Sequence, residues 1–156
     1  MIAVLQRADA ASVVVEGKTV GEIGKGLLVL LGVAQGDTRE DADLLCKKIL
    51  ACRIFTDEND KMNLSVRDVL GEVLVVSNFT LLANYRHGNR PDYMAAAAPA
   101  EANALYEYFA GLVRADLGRV STGEFGAHMQ VLLTGNGPVT IVMDSNELKK
   151  KKGERA

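Results

Sequence analysis

GKGLLVLLGVAQGDTREDADLLCKKILA, residues 24–51, decides the fold class of this chain. Residues 27–33 are an unbroken apolar run of a strand's length, without the alternation of a sheet that has one wet face. They predict a central strand covered on both sides. Gly36-Asp37-Thr38 then stops the strand. Thr38 is placed to cap a helix whose third residue is Asp41, a carboxylate near the positive end of the helix dipole. Ala42, Leu45, Cys46, Ile49 and Leu50 come next at helical spacing and give that helix one buried stripe.

Working outward, alternation and β-branched content predict strands over 2–6 and 12–15, a hairpin turn at Gly17-Lys18, and a strand over 19–23. Downstream, 53–56 and 62–66 read as partner strands around a polar turn, and 72–79 as the clearest later strand. A loop rich in Arg, Asn and Gly spans 84–93. A second helix starts near Pro99, whose missing N–H costs nothing in a first turn, with Ala102, Leu105, Tyr106, Phe109, Leu112 and Val113 as its apolar face. Strands over 129–134 and 139–143 flank Gly135-Asn136-Gly137-Pro138, which reads as a tight hairpin turn. Eight or so strands with two helices between them predict a mixed α/β domain dominated by sheet.

At 156 residues the chain suffices for one domain with its own core, and 48% hydrophobic against 24% charged residues is a globular balance. The formal charge of -2 argues against a general polyanion binder. It divides unevenly: 144–156 carries five basic and three acidic residues, so 1–143 is net -4. The lysine run 149–152 reads as a frayed, solvated tail after a domain over 1–143. Cys46 and Cys52 fit neither a redox pair nor a zinc site and read as buried thiols. Arg7 and Asp9 interrupt the apolar start before a signal-peptide core forms, so a cytoplasmic protein is expected.

Few residues offer side-chain chemistry. His87 and His128, the only imidazoles, lie far from cysteines and carboxylates at metal-ligand spacing, so no metal or other cofactor is expected. No GxSxG elbow exists. The segment GEIGKG, 21–26, lacks phosphate-loop spacing and reads as a turn. Ser77-Asn78-Phe79-Thr80 puts polar residues at the end of an apolar strand, which is either a plain strand end or a place where backbone N–H groups meet a ligand.

At these segments the sequence resembles the D-aminoacyl-tRNA deacylases of the bacterial and eukaryotic type. The matching stretches are IAVLQRADAASVVVEG (2–17), GKGLLVLLGV (24–33), RIFTDENDKMNLSV (53–66), VLVVSNFTL (73–81), the RP of GNRPDY (88–93), ALYEYF (104–109), TGEFGAHMQV (122–131) and NGPVT (136–140). Their order and spacing agree from Met1 to Met143. The resemblance implies a β-sheet-rich three-layer β-β-α sandwich, assembled as a homodimer. It implies hydrolysis of the ester joining a D-amino acid, or glycine mischarged on alanine tRNA, to the terminal adenosine of tRNA. The expected partner is the 3′ end of aminoacylated tRNA, with no DNA and no membrane.

Carried over by position, Ser77, Phe79 and Thr80 match the family's Ser-Gln-Phe-Thr motif, and Asn78 departs from it. Gly137-Pro138 matches a Gly-cisPro element that rejects L-aminoacyl groups from the neighbouring subunit, and Arg7 an arginine that helps hold it. Gly135-Asn136 stands where the family usually has Asn-Asp, and Gly135 is expected to loosen a turn there. An aminoacyl ester is already activated, so backbone donors and a positioned water suffice, and the N–H groups of Phe79 and Thr80 are suitable donors. The tRNA's own 2′-OH can assist the water. Two other readings stay open: a non-catalytic RNA-binding dimer of the same fold, and a small-molecule esterase using Ser77 or Thr80 with His87.

Overall fold

The computed structural model describes residues 1–151. Among these residues eight strands are formed: β1 Ile2–Val15, β2 Lys18–Ile23, β3 Gly26–Gly32, β4 Phe55–Thr56, β5 Met62–Leu64, β6 Glu72–Ser77, β7 Ser121–Thr122 and β8 Gln130–Asp144. Three helices join them, α1 Arg39–Ala51, α2 Pro99–Leu117 and α3 Ser145–Lys149, with a 3₁₀ turn at Phe79–Leu82.

One sheet runs β2-β1-β3-β6-β7, with β8 on the other side of β1. The long β1 is its spine. Its first half pairs with β3, from Ile2 opposite Gly32 to Ala8 opposite Gly26, and its second half pairs with β2, from Ala11 opposite Ile23 to Val15 opposite Lys18. Changing partner midway curls the sheet until β2 meets β7. There Ser121 Oγ donates to the Glu22 carbonyl at 3.0 Å, and a Cβ on Gly21 would lie 2.3 Å from the Thr122 carbonyl oxygen. The two sheet layers implied by the resemblance are therefore two halves of one curled sheet. Helices supply the third layer.

The central strand explains both cores. Leu27, Val29 and Leu31 of β3 face α1 and α2, packing with Leu45, Ile49, Phe109 and Val113, whereas Leu28 turns into the fold of the sheet with Val13, Ile23, Leu74 and Val76. Period-two alternation thus serves two apolar compartments. Each such buried side chain contributes roughly 1.5–3 kcal/mol. Thr38 is the N-cap of α1, and Asp41 reaches back to it, the Thr38 N–H donating to Asp41 Oδ2 at 2.9 Å. Pro99 opens α2, and Gly118 closes it at φ 80° with its N–H on the Arg114 carbonyl at 2.8 Å. Cys46 is buried, and burial, reinforced by Asp116, pushes its thiol up to about 11.

Several expectations need correction. The strands read as 2–6 and 12–15 are one strand, as are 129–134 and 139–143, because β1 and β8 pair antiparallel along nearly their whole lengths, from Ile2 opposite Asp144 to Val14 opposite Gln130. The expected hairpin at 135–138 is instead a bulge within β8. The strand read as 72–79 ends at Ser77, and the 3₁₀ turn takes over. The lysine-rich end begins as α3, not as a frayed tail: Ser145 is buried, and Lys149 Nζ lies 2.7 Å from the buried Asp41 carboxylate. Lys152, the last of the lysine run, lies outside the described residues.

Candidate active site

The end of β6 is positioned by apolar burial. Residues 73–76 are buried, and β6 runs parallel to β3 with Ser77 opposite Leu31. The Asn78 N–H adds one more rung, donating to the Leu31 carbonyl at 2.8 Å. Beyond that rung the chain folds over β3. A Cβ on Gly32 would stand 2.6 Å from Leu82 Cδ2 and 3.1 Å from both Leu81 Cβ and the Asn78 carbonyl oxygen. The bare backbone of Gly32 is what lets the turn sit this close.

Asn78 caps that turn. Its Oδ1 accepts the Thr80 N–H at 3.2 Å and also a short hydrogen bond from the Thr80 hydroxyl. Asparagine is a strong cap because its carbonyl reaches an N–H two residues on. The cap has two chemical consequences. The Thr80 N–H, expected as a free donor, is engaged within the chain, and the uncapped donor at the turn's start is the Phe79 N–H. The Thr80 hydroxyl gives its proton to an amide oxygen, which is no general base, so that bond does not activate it as a nucleophile.

Ser77 and Asn78 form part of the wall of two cavities. The larger, about 610 Å³, is bounded by Phe79, Tyr93, Met94, Pro99, Phe125 and Met129. The second, about 580 Å³, also reaches Thr80 and is bounded by Gln6, Leu30, His128 and Leu133. The far wall of the larger cavity is tied down by Gln35, whose Nε2 donates to the Met94 carbonyl at 2.6 Å and whose N–H donates to the Ala95 carbonyl at 2.9 Å. Tyr93 meets Phe79 edge-on, ring centres 5.1 Å apart.

The other predicted element is held by polar contacts. Between the rungs Gln6–Thr140 and Ala8–Gly135, Arg7 alone faces residues 136–139, which bulge from the sheet edge. Arg7 Nε donates to the Asn136 carbonyl at 3.0 Å and Nη2 to Asn136 Oδ1 at 2.9 Å, while Nη1 donates to the Ile54 carbonyl at 2.9 Å. Asn136 Nδ2 donates in turn to Asp9 Oδ1 at 2.9 Å. Arg7 therefore braces this element within its own chain. Gly137 and Pro138 are exposed, and the peptide bond between them is cis. Gly137 has φ 148°. Gly135 is a ladder residue opposite Ala8, so the loosened turn expected there does not exist.

The chain brings Ser77, Asn78, Phe79 and Thr80 together and leaves Arg7, Gly137 and Pro138 as a separate group, since neither of the two cavities beside Ser77 is lined by them. His87 lines neither cavity; His128 shares the second with Ser77 and Thr80. No cluster of three potential metal ligands occurs among the described residues, and none of their helices is long and apolar enough to cross a membrane. Sequence reasoning passes over Gly32, Gln35, Tyr93 and His128 as site residues. For His128 the signal is available in the stretch 122–131, and for Tyr93 in GNRPDY.

Over residues 4–144 the sequence matches the family described as D-Tyr-tRNA(Tyr) deacylase. The chain belongs to this family. Relatives named D-aminoacyl-tRNA deacylase include one from Dehalococcoides mccartyi, 54% identical over 147 residues that cover 94% of this chain and 96% of the relative. Another, from Caldicellulosiruptor saccharolyticus, is 52% identical and covers 95% and 99%. One from Yersinia pestis is 56% identical and covers 90% and 97%. The family's enzymes are hydrolases of ester bonds. Among solved structures, one titled c-Myc DNA Unwinding Element Binding Protein superposes with TM-score 0.87 at 39% identity, covering 92% of this chain and 98% of that one. A probable eukaryotic D-amino acid tRNA deacylase superposes at 0.78 and 21% identity over the same shares, a likeness of fold.

Proposed function

We propose that this protein hydrolyses the ester of D-aminoacyl-tRNA, and of glycine mischarged on alanine tRNA, in the cytoplasm and as a homodimer. The observation that carries the proposal is the Ser77–Thr80 strand end, set between two cavities in a chain more than half identical to proteins named for that activity. The terminal adenosine enters the larger, mainly apolar cavity beside Phe79. The Phe79 N–H faces the ester carbonyl and stabilises the developing oxyanion, a role in which a single donor is worth about 2.7–4 kcal/mol. Among the described residues no side-chain base is hydrogen-bonded to Ser77 or Thr80, and the attacking water is oriented by the 2′-OH next to the ester.

Discrimination comes from the second copy. β8 exposes Val131, Leu132, Leu133 and Val142, between 40% and 68% accessible, along a long sheet edge that needs covering. A second copy packed there carries Gly137 and Pro138 of the partner subunit to the strand end. Their backbone then fills the volume an L side chain needs, and glycine, having none, is accepted. The esterase reading loses support because His87 is not at the strand end.

D-Tyrosyl-, L-tyrosyl- and glycyl-tRNA incubated with sub-stoichiometric purified protein test the proposal. Multiple turnovers of the D-tyrosyl and glycyl substrates alone are expected. Stoichiometric binding without turnover overturns it in favour of a non-catalytic RNA-binding dimer.

A further inference from the structure

The loop from Asn84 to Asp92 leaves the 3₁₀ turn of the site and returns to its wall. Its neck is closed by paired backbone hydrogen bonds, the Asn84 N–H to the Asp92 carbonyl at 2.8 Å and the Asp92 N–H to the Asn84 carbonyl at 2.9 Å. Side chains secure both ends: Asn84 Oδ1 accepts the Arg86 N–H at 3.2 Å, and Asp92 Oδ1 the Met94 N–H at 3.2 Å. One residue past the neck, Tyr93 packs on Phe79. The loop is thus fixed to the site at both ends while its body projects into solvent.

What it projects is unusual for this protein. Tyr85 is 79% accessible, more than any other aromatic side chain among the described residues. Five of the eight arginines among the described residues are engaged, Arg7 with Asn136, Arg39 over the Tyr108 ring, Arg53 with the Asn63 carbonyl, Arg67 with Asp116 and Arg119 with Glu72, and Arg114 stands apart on α2. Arg86 and Arg90 are exposed and have no carboxylate within 4.0 Å among the described residues. Two free guanidinium groups and an exposed ring, beside the rings of Phe79 and Tyr93, match what single-stranded nucleic acid requires: flat surfaces for bases and cations for the backbone between them. Two lysines of the run 149–152 are already engaged. Lys149 is paired with Asp41, and Lys150 with Glu147 at 2.6 Å.

We infer that the 84–92 loop is the surface that holds the single-stranded 3′ end of tRNA behind its terminal adenosine, Arg86 and Arg90 contacting phosphates and Tyr85 stacking on a base. This rests on the deacylase reading for the identity of the RNA. It also reconciles a body of net charge -4 with an RNA partner, since the contact needs only a local pair of cations.

The test is binding of a short labelled single-stranded RNA ending in CCA, and of uncharged tRNA with and without its terminal CCA, across a salt series. Arg86→Ala/Arg90→Ala should weaken binding and reduce the slope of log Kd against log salt by about 1.4, the value for two phosphate contacts on a single strand. Tyr85→Ala should weaken it about fivefold or more, the effect of one lost stack. Lys150→Ala/Lys151→Ala removes the same charge elsewhere and should not change the slope. Trimming CCA should abolish the difference between wild type and the loop variants. An unchanged slope in the arginine variant, or an equal change in the lysine variant, overturns the inference. Loop-dependent binding by a wild-type protein that turns over no D-tyrosyl-tRNA supports the loop and overturns the deacylase reading alone.

Discussion

Two segments of this protein carry its proposed chemistry, and they are held by opposite means. The strand end at Ser77 closes a buried parallel pair, fixed by apolar neighbours and by the absence of a side chain at Gly32. The bulge at Gly137 stands on an exposed edge, fixed by one arginine, one asparagine and one aspartate. Burial supplies stiffness from many weak contacts at once, so no single polar group is decisive there. A polar clamp concentrates its stiffness in a few charge-assisted hydrogen bonds. Damage to the first should therefore cost rate, and damage to the second should cost selectivity.

The largest expected effect is at Gly32. Gly32→Ala inserts a methyl group against the Asn78 carbonyl and Leu82 and lifts the turn that presents the Phe79 N–H. A displacement of that order lowers kcat/KM on D-tyrosyl-tRNA by roughly 100-fold, with the preference for D over L unchanged. Steady-state kinetics on both substrates check this. A change in preference at normal rate would show that the two segments are not mechanically separate.

Next is the clamp. Arg7→Ala removes two hydrogen bonds to Asn136, leaving the bulge to Asp9 alone. For this exposed pair of bonds a net loss of about 1.5 kcal/mol, the low end for hydrogen bonds to a charged group, lowers the D-over-L ratio roughly tenfold. Hydrolysis of L-tyrosyl-tRNA by the variant is the direct readout, and an unaltered ratio would break the comparison.

Asn78→Gln tests the boundary between rate and selectivity. It replaces a preferred cap with a longer side chain, costs the turn about 1 kcal/mol, and releases the Thr80 N–H. The rate therefore shifts severalfold while the D-over-L ratio holds. A variant that began to cleave L-tyrosyl-tRNA would assign Asn78 to the filter.

The same contrast explains what is legible in the sequence. Apolar runs report burial directly, so the central strand 27–33, the stripe on α1 and the buried body of β6 can be read from the apolar pattern, while the end of β6 at Ser77, two residues short of the expected 79, cannot. The bulge cannot. Gly-Asn-Gly-Pro between two strands has the composition of a hairpin, and only the unbroken β1 opposite shows that the chain runs straight on. Arg7 and Asn136 are 129 positions apart, and no local pattern announces their bonds. Gly32 is hidden differently, as a glycine inside a strand whose reason is a turn some fifty residues later. The lysine run reads as a solvated tail because its partner is a buried carboxylate on α1, and capping alone already accounts for Asp41 in the sequence.

That buried carboxylate sets the smallest expected effect on activity, at the far end of the same pair of strands. Asp41 Oδ1 accepts from the Ser145 hydroxyl at 2.6 Å and from Lys149, so it ties the end of β8 to α1. Burial pushes its pKa up, but the bonds from Lys149, Ser145 and Thr38 together outweigh this and hold it well below the usual carboxylate range. A carboxylate with a lowered folded pKa stabilises fully above its unfolded value of about 3.9 and loses that contribution as pH falls towards the folded value. Lys149→Ala should therefore cost about 1–3 kcal/mol at neutral pH, with a gap from wild type that narrows as the pH drops below about 4. Denaturant melts across that range measure it. Because the tie lies beyond the bulge, the D-over-L ratio should not move; if it did, the clamp at Arg7 would depend on the whole length of β8 and not on its own three side chains.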